Sequence, residues 1–284
     1  MPKQTILLPI DKDADVACLV NWIDAAREED FHLSVLVVAI ARSIPTTAYG
    51  AIPYAGIEVT EEWQNAIRQD AQDLTAKVKE VEALFAKAEI SADVIGTHSE
   101  LPIMADDLAL SAGVCDLAVL PEGHSLEHPA LEKAISTLLF QSPAALVLHS
   151  ADPMSVLKPK TVFVAWKPGL PAARAIHAAL PMLQKAQEVL VGIFDPDMRA
   201  SKDGEDPCAD VATWLSRHGC NVTVQQLTSG GKNIGECINA HAVEVGADLV
   251  VMGAYGHSKL RERIFGGTTQ MMLEQARKPI MLAH

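Results

Sequence analysis

The same ordered series of short apolar runs occurs twice along the chain. Thr5–Ile10 is answered by Thr161–Trp166, and Leu33–Ile40 by Glu188–Phe194. Later, Gly113–Leu120 is answered by Gly246–Met252, and both lead into a Gly-His-Ser triplet, at 123–125 and 256–258. The series closes with Pro143–His149 and Pro279–His284, each opened by a proline where a missing N–H costs little. One such match arises by chance, but an ordered series points to a tandem duplication. Helical stretches separate the runs, among them Ala14–Glu28 and Pro171–Lys185.

Runs that are apolar at consecutive positions suit strands buried on both faces. Alternation of such strands with helices implies a parallel sheet with right-handed crossovers. Each half therefore reads as a doubly wound α/β domain of about five strands. The expected division is 1–150 for the first domain, 151–158 for a linker marked by Asp152-Pro153 and Lys158-Pro159, and 159–284 for the second. Thr60–Ala88 reads as one long helix, capped by Thr60 with Glu61 and Glu62 in its first turn. Ser43–Gly56 and Asp195–Pro207 read as loops.

Composition limits the partners. With 23 Lys+Arg against 36 Asp+Glu, the net charge is −13, which opposes binding to nucleic acid or an anionic membrane. No run approaches the ~18 consecutive apolar residues of a membrane span. Met1–Gln4 leads into a strand rather than a signal peptide. The five cysteines, 18, 115, 208, 220 and 237, form no C-x-x-C pair, and the ten histidines show no zinc-binding spacing. A reducing cytoplasm fits, with no metal centre.

The most informative segment is 253–269. It follows the strand Asp248–Met252 and precedes a helical pattern, Thr269–Ala276. Gly253 and Gly256 let the backbone turn sharply at the end of a parallel strand. Gly266, Gly267, Thr268 and Thr269 open a helix, where free N–H groups and the dipole favour an anion. The segment lacks the G-K-[ST] ending of a P-loop and is not G-x-G-x-x-G.

This spacing, G-x2-G-x9-G followed by a small residue, resembles that of the universal stress protein family, and the likeness extends over both halves. Lys278-Pro279-Ile-Met-Leu resembles the family's last strand, and Ala254–Glu262 its tandem bacterial branch. The resemblance implies two flavodoxin-like or Rossmann-like domains, each a mostly parallel five-stranded sheet with helices on both faces. It implies a stress-response regulator that binds an adenine nucleotide, ATP or AMP, with or without Mg2+, and is not a dedicated catalyst. Position by position, Gly253, Gly256, His257, Gly266, Gly267, Thr268, Thr269 and Lys167 are the implied site residues.

Two departures matter. Gly267 stands where the family has Ser or Thr, so Thr268 is displaced by one, and Lys167 replaces a carboxylate that would accept hydrogen bonds from base or ribose. The first half keeps that carboxylate as Asp11, but its loop reads Pro121-Glu122-Gly123-His124 and no second glycine cluster follows. Its expected role is that of a degenerate partner domain, paired with the second through strands 143–149 and 279–284; further homodimerisation is compatible with this. A nucleotide-independent scaffold and an ATP hydrolase remain as alternatives.

Several features carry a plainer reading as well. Asp11 is a ligand residue or the N-cap of the first helix, the cap being favoured. Each triplet is a loop histidine followed by a helix-capping serine, Ser125 or Ser258, since no nucleophile elbow is present. Ser229–Asn233 is a strand-to-helix turn or an anion-friendly helix terminus. Lys167, Arg261 and Arg263 pair with phosphates or are simply solvated.

Overall fold

The computed structural model describes residues 4–42, 60–196, 207–254 and 267–284. The first half contributes β1 (Thr5–Asp11), α1 (Ala17–Glu29), β2 (His32–Ile40), α2 (Glu61–Ala88), β3 (Ala92–Ser99), α3 (Leu101–Ala112), β4 (Leu117–Pro121), α4 (Ala130–Gln141) and β5 (Ala145–Ser150). A short α5 (Met154–Leu157) lies in the connecting stretch, with Val156 and Leu157 buried. The second half follows with β6 (Thr161–Ala165), α6 (Leu170–Leu183), β7 (Glu188–Phe194), α7 (Ala209–Arg217), β8 (Val222–Leu227), α8 (Ile234–Glu244), β9 (Leu249–Gly253), α9 (Gly267–Gln275) and β10 (Ile280–Ala283).

The ten described strands form one sheet in the order β3-β2-β1-β4-β5-β10-β9-β6-β7-β8. Both halves thus share the order 3-2-1-4-5, the Rossmann type rather than the flavodoxin order. Pairing is parallel within each half. The halves meet where β5 and β10 run antiparallel, Leu148 opposite Ile280 and Leu146 opposite Leu282. The expected pairing of the two closing strands is therefore present.

One core cluster joins α1, α2, α6 and α7 to the sheet, and a second joins α3, α4, α8 and α9 to its other face. Strand direction reverses between the halves while each helix pair keeps its face. The halves are thus related by a pseudo-twofold axis normal to the sheet, and the carboxyl ends of their strands point to opposite ends of the molecule.

The central strands β1, β2, β4, β6, β7 and β9 bury nearly every position, as their apolar runs require. The outer strands β3 and β8 have no such run, because an edge strand covered by little else stays half exposed. Ala92–Ser99 and Val222–Leu227 therefore carry no such apolar run in the sequence. Among the described residues no helix is long and apolar enough to cross a membrane; α2 has 28 residues but a largely polar surface.

Candidate functional site

In an open α/β sheet the ligand crevice lies beyond the carboxyl ends of the strands, where the order reverses. In the second half that point is between β6 and β9. Gly253 ends β9, Lys167 is exposed two residues beyond β6, and Gly267, Thr268 and Thr269 open α9. Gly256, His257 and Gly266, with Arg261, Arg263 and Ser258, lie outside the described residues, as do all of Ser43–Gly56 and most of Asp195–Pro207.

Each of the described glycines has its own reason. A Cβ on Gly253 would stand 2.4 Å from the backbone N of Ala172 and 2.6 Å from the carbonyl carbon of Pro171. The end of β9 thus presses on the N-terminal turn of α6, and only glycine permits that approach. Gly235, early in α8, fits equally tightly: a Cβ there would lie 2.6 Å from Met271 Sδ and 3.2 Å from Thr268 O. Gly267 differs, since among the described residues the nearest atom to its Cβ position, Asn233 Nδ2, is 3.8 Å away.

These contacts bring helix starts together. Asn233 Oδ1 accepts from Gly235 N at 2.8 Å and caps α8, so Ser229–Asn233 is a strand-to-helix turn that leads into a capped helix start. Asn239 Nδ2 donates to Gln275 O at 3.0 Å, and Asn239 Oδ1 accepts from Arg277 N at 3.3 Å, which ties α8 to α9. Gly267 is exposed, Thr268 half-buried and Thr269 buried. The N-terminal ends of α6, α8 and α9 consequently share the end of the sheet where β6 and β9 terminate. The start of a helix brings N–H groups without intrahelical partners and the positive end of a dipole. Lys167 lies on the same end. Asn233 belongs to this arrangement although the glycine spacing did not single it out.

A groove of about 450 Å³ lies beside this crevice, between β7, β8 and α8, lined by Phe194, Leu227, Ser229, Lys232 and His241 among others. Asp195 follows Phe194 and bonds the lining residue Ser229. Hydrogen bonds from Ser229 hold the Asp195 carboxyl below the ordinary carboxylate range, the backbone N of Ser229 donating at 3.0 Å.

The matching point in the first half, between β1 and β4, is closed by its own chain. Asp11 N donates to His124 O at 2.8 Å, Lys12 N to Val38 O at 2.9 Å and His124 N to Pro121 O at 3.1 Å. Leu126 N donates to His124 Nδ1 at 2.8 Å. Asp11 does not cap the first helix: its Oδ1 accepts from Asp13 N at 2.9 Å, and α1 starts later, behind Val16, with no side-chain cap bond. Asp15 instead accepts from Ala17 N at 2.9 Å. Burial, opposed by the bond from Asp13, raises the Asp11 pKa. Ser125 does not cap a helix either. It sits in a left-handed turn with φ 57°, and α4 begins only at Ala130.

The comparisons with known proteins agree with this architecture. The family model described as "Universal stress protein family" matches residues 118–284, more than half of the chain. The crystal structure of a universal stress protein from Archaeoglobus fulgidus DSM 4304 covers 100% of this chain and 99% of its own, at 16% identity and TM-score 0.69. A functionally unknown protein from Pseudomonas aeruginosa PAO1 covers 99% of this chain and 92% of its own, at 15% identity and TM-score 0.53. Among curated proteins no sequence match is found. At these identities the two structures establish a shared fold, and the family model establishes descent: the chain belongs to the universal stress protein family.

Proposed function

We propose that this stress protein binds an adenine nucleotide, ATP or AMP, in its second domain, residues 159–284, and acts in the cytoplasm as a ligand-dependent regulator rather than as a dedicated catalyst. The observation that carries this reading is the convergence of three helix N-terminal ends at the β6–β9 crevice, with α9 opening on Gly267, Thr268 and Thr269. Backbone N–H groups hold a phosphate there whatever the net charge of the chain. Among the described residues nothing lies within 3.8 Å of the Cβ position of Gly267, which supports a cradle rather than a packing contact. Gly256, His257 and Gly266 complete the proposed set with Gly253 and Lys167. Mg2+ would arrive with the phosphates of the nucleotide.

The test is direct. The purified chain is denatured and the released nucleotide identified, and the melting temperature is followed with ATP or AMP, with and without Mg2+. Ligand at a hundredfold excess over Kd stabilises by about 2.7 kcal/mol, which for a chain of this size raises Tm by several degrees. No released nucleotide and no shift overturns the proposal.

One observation favours a nucleotide-independent scaffold. Gly253 is fully explained by the packing of α6, so that glycine needs no ligand. The same two measurements decide between the readings.

A further inference from the structure

In the first half the carboxyl end of β1 is held shut by a loop whose key bond depends on an unprotonated ring. The backbone N–H of Leu126 can only donate, so His124 Nδ1, 2.8 Å away, is the acceptor and carries no proton. The same loop returns a carbonyl, His124 O, to the N–H of Asp11. It rests on α1 through Gly123, which has φ 84° and whose Cβ position lies 3.3 Å from Cys18 Cβ. Ser125 occupies a left-handed conformation that costs a non-glycine residue energy. The loop is thus strained at one residue, and the Leu126–His124 bond is among those that hold it.

We propose that His124 is an acid-released latch over the β1–β4 end of the first half. Protonation of Nδ1 removes the acceptor for Leu126 and places a cation in a half-buried loop. The loop 122–126 then leaves β1 and α1, which frees the N–H of Asp11 and exposes Cys18, already partly accessible, further. This latch does not depend on nucleotide in the second half.

Among the described residues the ionisable groups around the loop are Asp11 from β1 with Lys12, Asp13 and Glu127 beside it, Cys18 from α1 with Asp15 and Lys77 beside it, and Glu122 of the loop itself. Burial lowers the proton affinity of His124 in the closed loop. The closed form therefore binds the proton less readily than the open form, and opening grows as pH falls below the ordinary histidine value of about 6.5. Asp11, whose pKa is raised by burial, responds in the opposite sense. Substitution at His124 is therefore needed to isolate the latch.

His124→Asn keeps an acceptor oxygen near the Nδ1 position and does not titrate. His124→Ala removes the acceptor. Labelling of Cys18 in the full chain by 4,4′-dithiodipyridine, mapped by mass spectrometry, reads opening directly. Wild type and His124→Asn should label equally at pH 7.5, with wild type faster by up to about tenfold one pH unit below 6.5. His124→Ala should label faster than His124→Asn at both values. Cys208, fully buried elsewhere, should stay unlabelled. An unchanged ratio of wild type to His124→Asn overturns the latch. So does labelling of Cys208 in step with Cys18, which marks global unfolding.

Discussion

Asp248 anchors the start of the second half's first strand: its Oδ2 accepts the backbone N–H of Thr161 at 3.1 Å and of Lys160 at 2.7 Å. The backbone answers, with Asp248 N donating to Thr161 O at 2.8 Å. Asp116 does the same in the first half, taking Thr5 N at 2.8 Å on Oδ2 while its own N–H goes to Thr5 O at 2.9 Å. Each carboxylate satisfies N–H groups at the amino end of a central strand, just before β4 or β9 begins. The pair is also a side-chain signature of the pseudo-twofold, independent of the apolar runs.

Replacing Asp248 by Ala leaves the Lys160 and Thr161 donors without their acceptor, a loss of about 1–3 kcal/mol for a hydrogen bond to a charged group. Asp248→Asn keeps an acceptor oxygen and should cost less. Urea unfolding of the two variants measures the order. Equal stability of Asp248→Ala and wild type rules out an anchoring role.

Gly253 and Gly267 should separate packing from ligand binding. A Cβ on Gly253 collides with the backbone of Pro171 and Ala172, so Gly253→Ala should destabilise by about 1–3 kcal/mol through forced displacement of α6. Among the described residues a Cβ on Gly267 meets nothing closer than 3.8 Å, so Gly267→Ala should leave stability within about 0.5 kcal/mol of wild type. Its effect should appear as weaker nucleotide binding in calorimetry. A large loss of stability in Gly267→Ala contradicts the open cradle.

What the linear sequence reveals depends on how local each cause is. The central strands are legible because burial on both faces writes itself as consecutive apolar residues, as in Leu33–Ile40. β3 and β8 are not, because half-exposed edges tolerate Asp93, His98, Gln225 and Gln226. α2 is legible because capping by Thr60 and the acidic first turn are contiguous in sequence. Asp11 and Ser125 misled for the converse reason: each is a good cap by type, but the helix that follows starts several residues later. The spacing of Gly253 marks it as a site glycine, while its close contact with Ala172 is made only by folding. The approach of Asn233 to Gly267 likewise needs α8 packed on α9.

The cap on α2 offers a local test. Thr60 Oγ1 accepts from Trp63 N at 3.2 Å. Thr60→Ala should cost about 1 kcal/mol, and Thr60→Asp should retain most of it. Chemical denaturation of both variants checks the prediction, and equal stabilities show that the cap bond contributes nothing.

Glu29 links the halves on the α1–α6 side and gives a pH-dependent prediction. Its carboxylate, largely buried, bonds both Lys158 and Lys185, the latter at 2.9 Å. Burial raises its pKa, but the bonds from the two lysines outweigh this and hold it below the ordinary glutamate value. A depressed carboxyl pKa adds stability that is complete above the unfolded value of about 4.3 and is lost as pH falls through the folded one. Both lysines are partly solvated, so the contribution at neutral pH should be no more than about 1 kcal/mol. Glu29→Gln should therefore be less stable than wild type at pH 7, with the difference closing at pH values below about 4. Urea unfolding at both pH values measures it, and a difference that persists unchanged in acid assigns the effect to packing instead of charge.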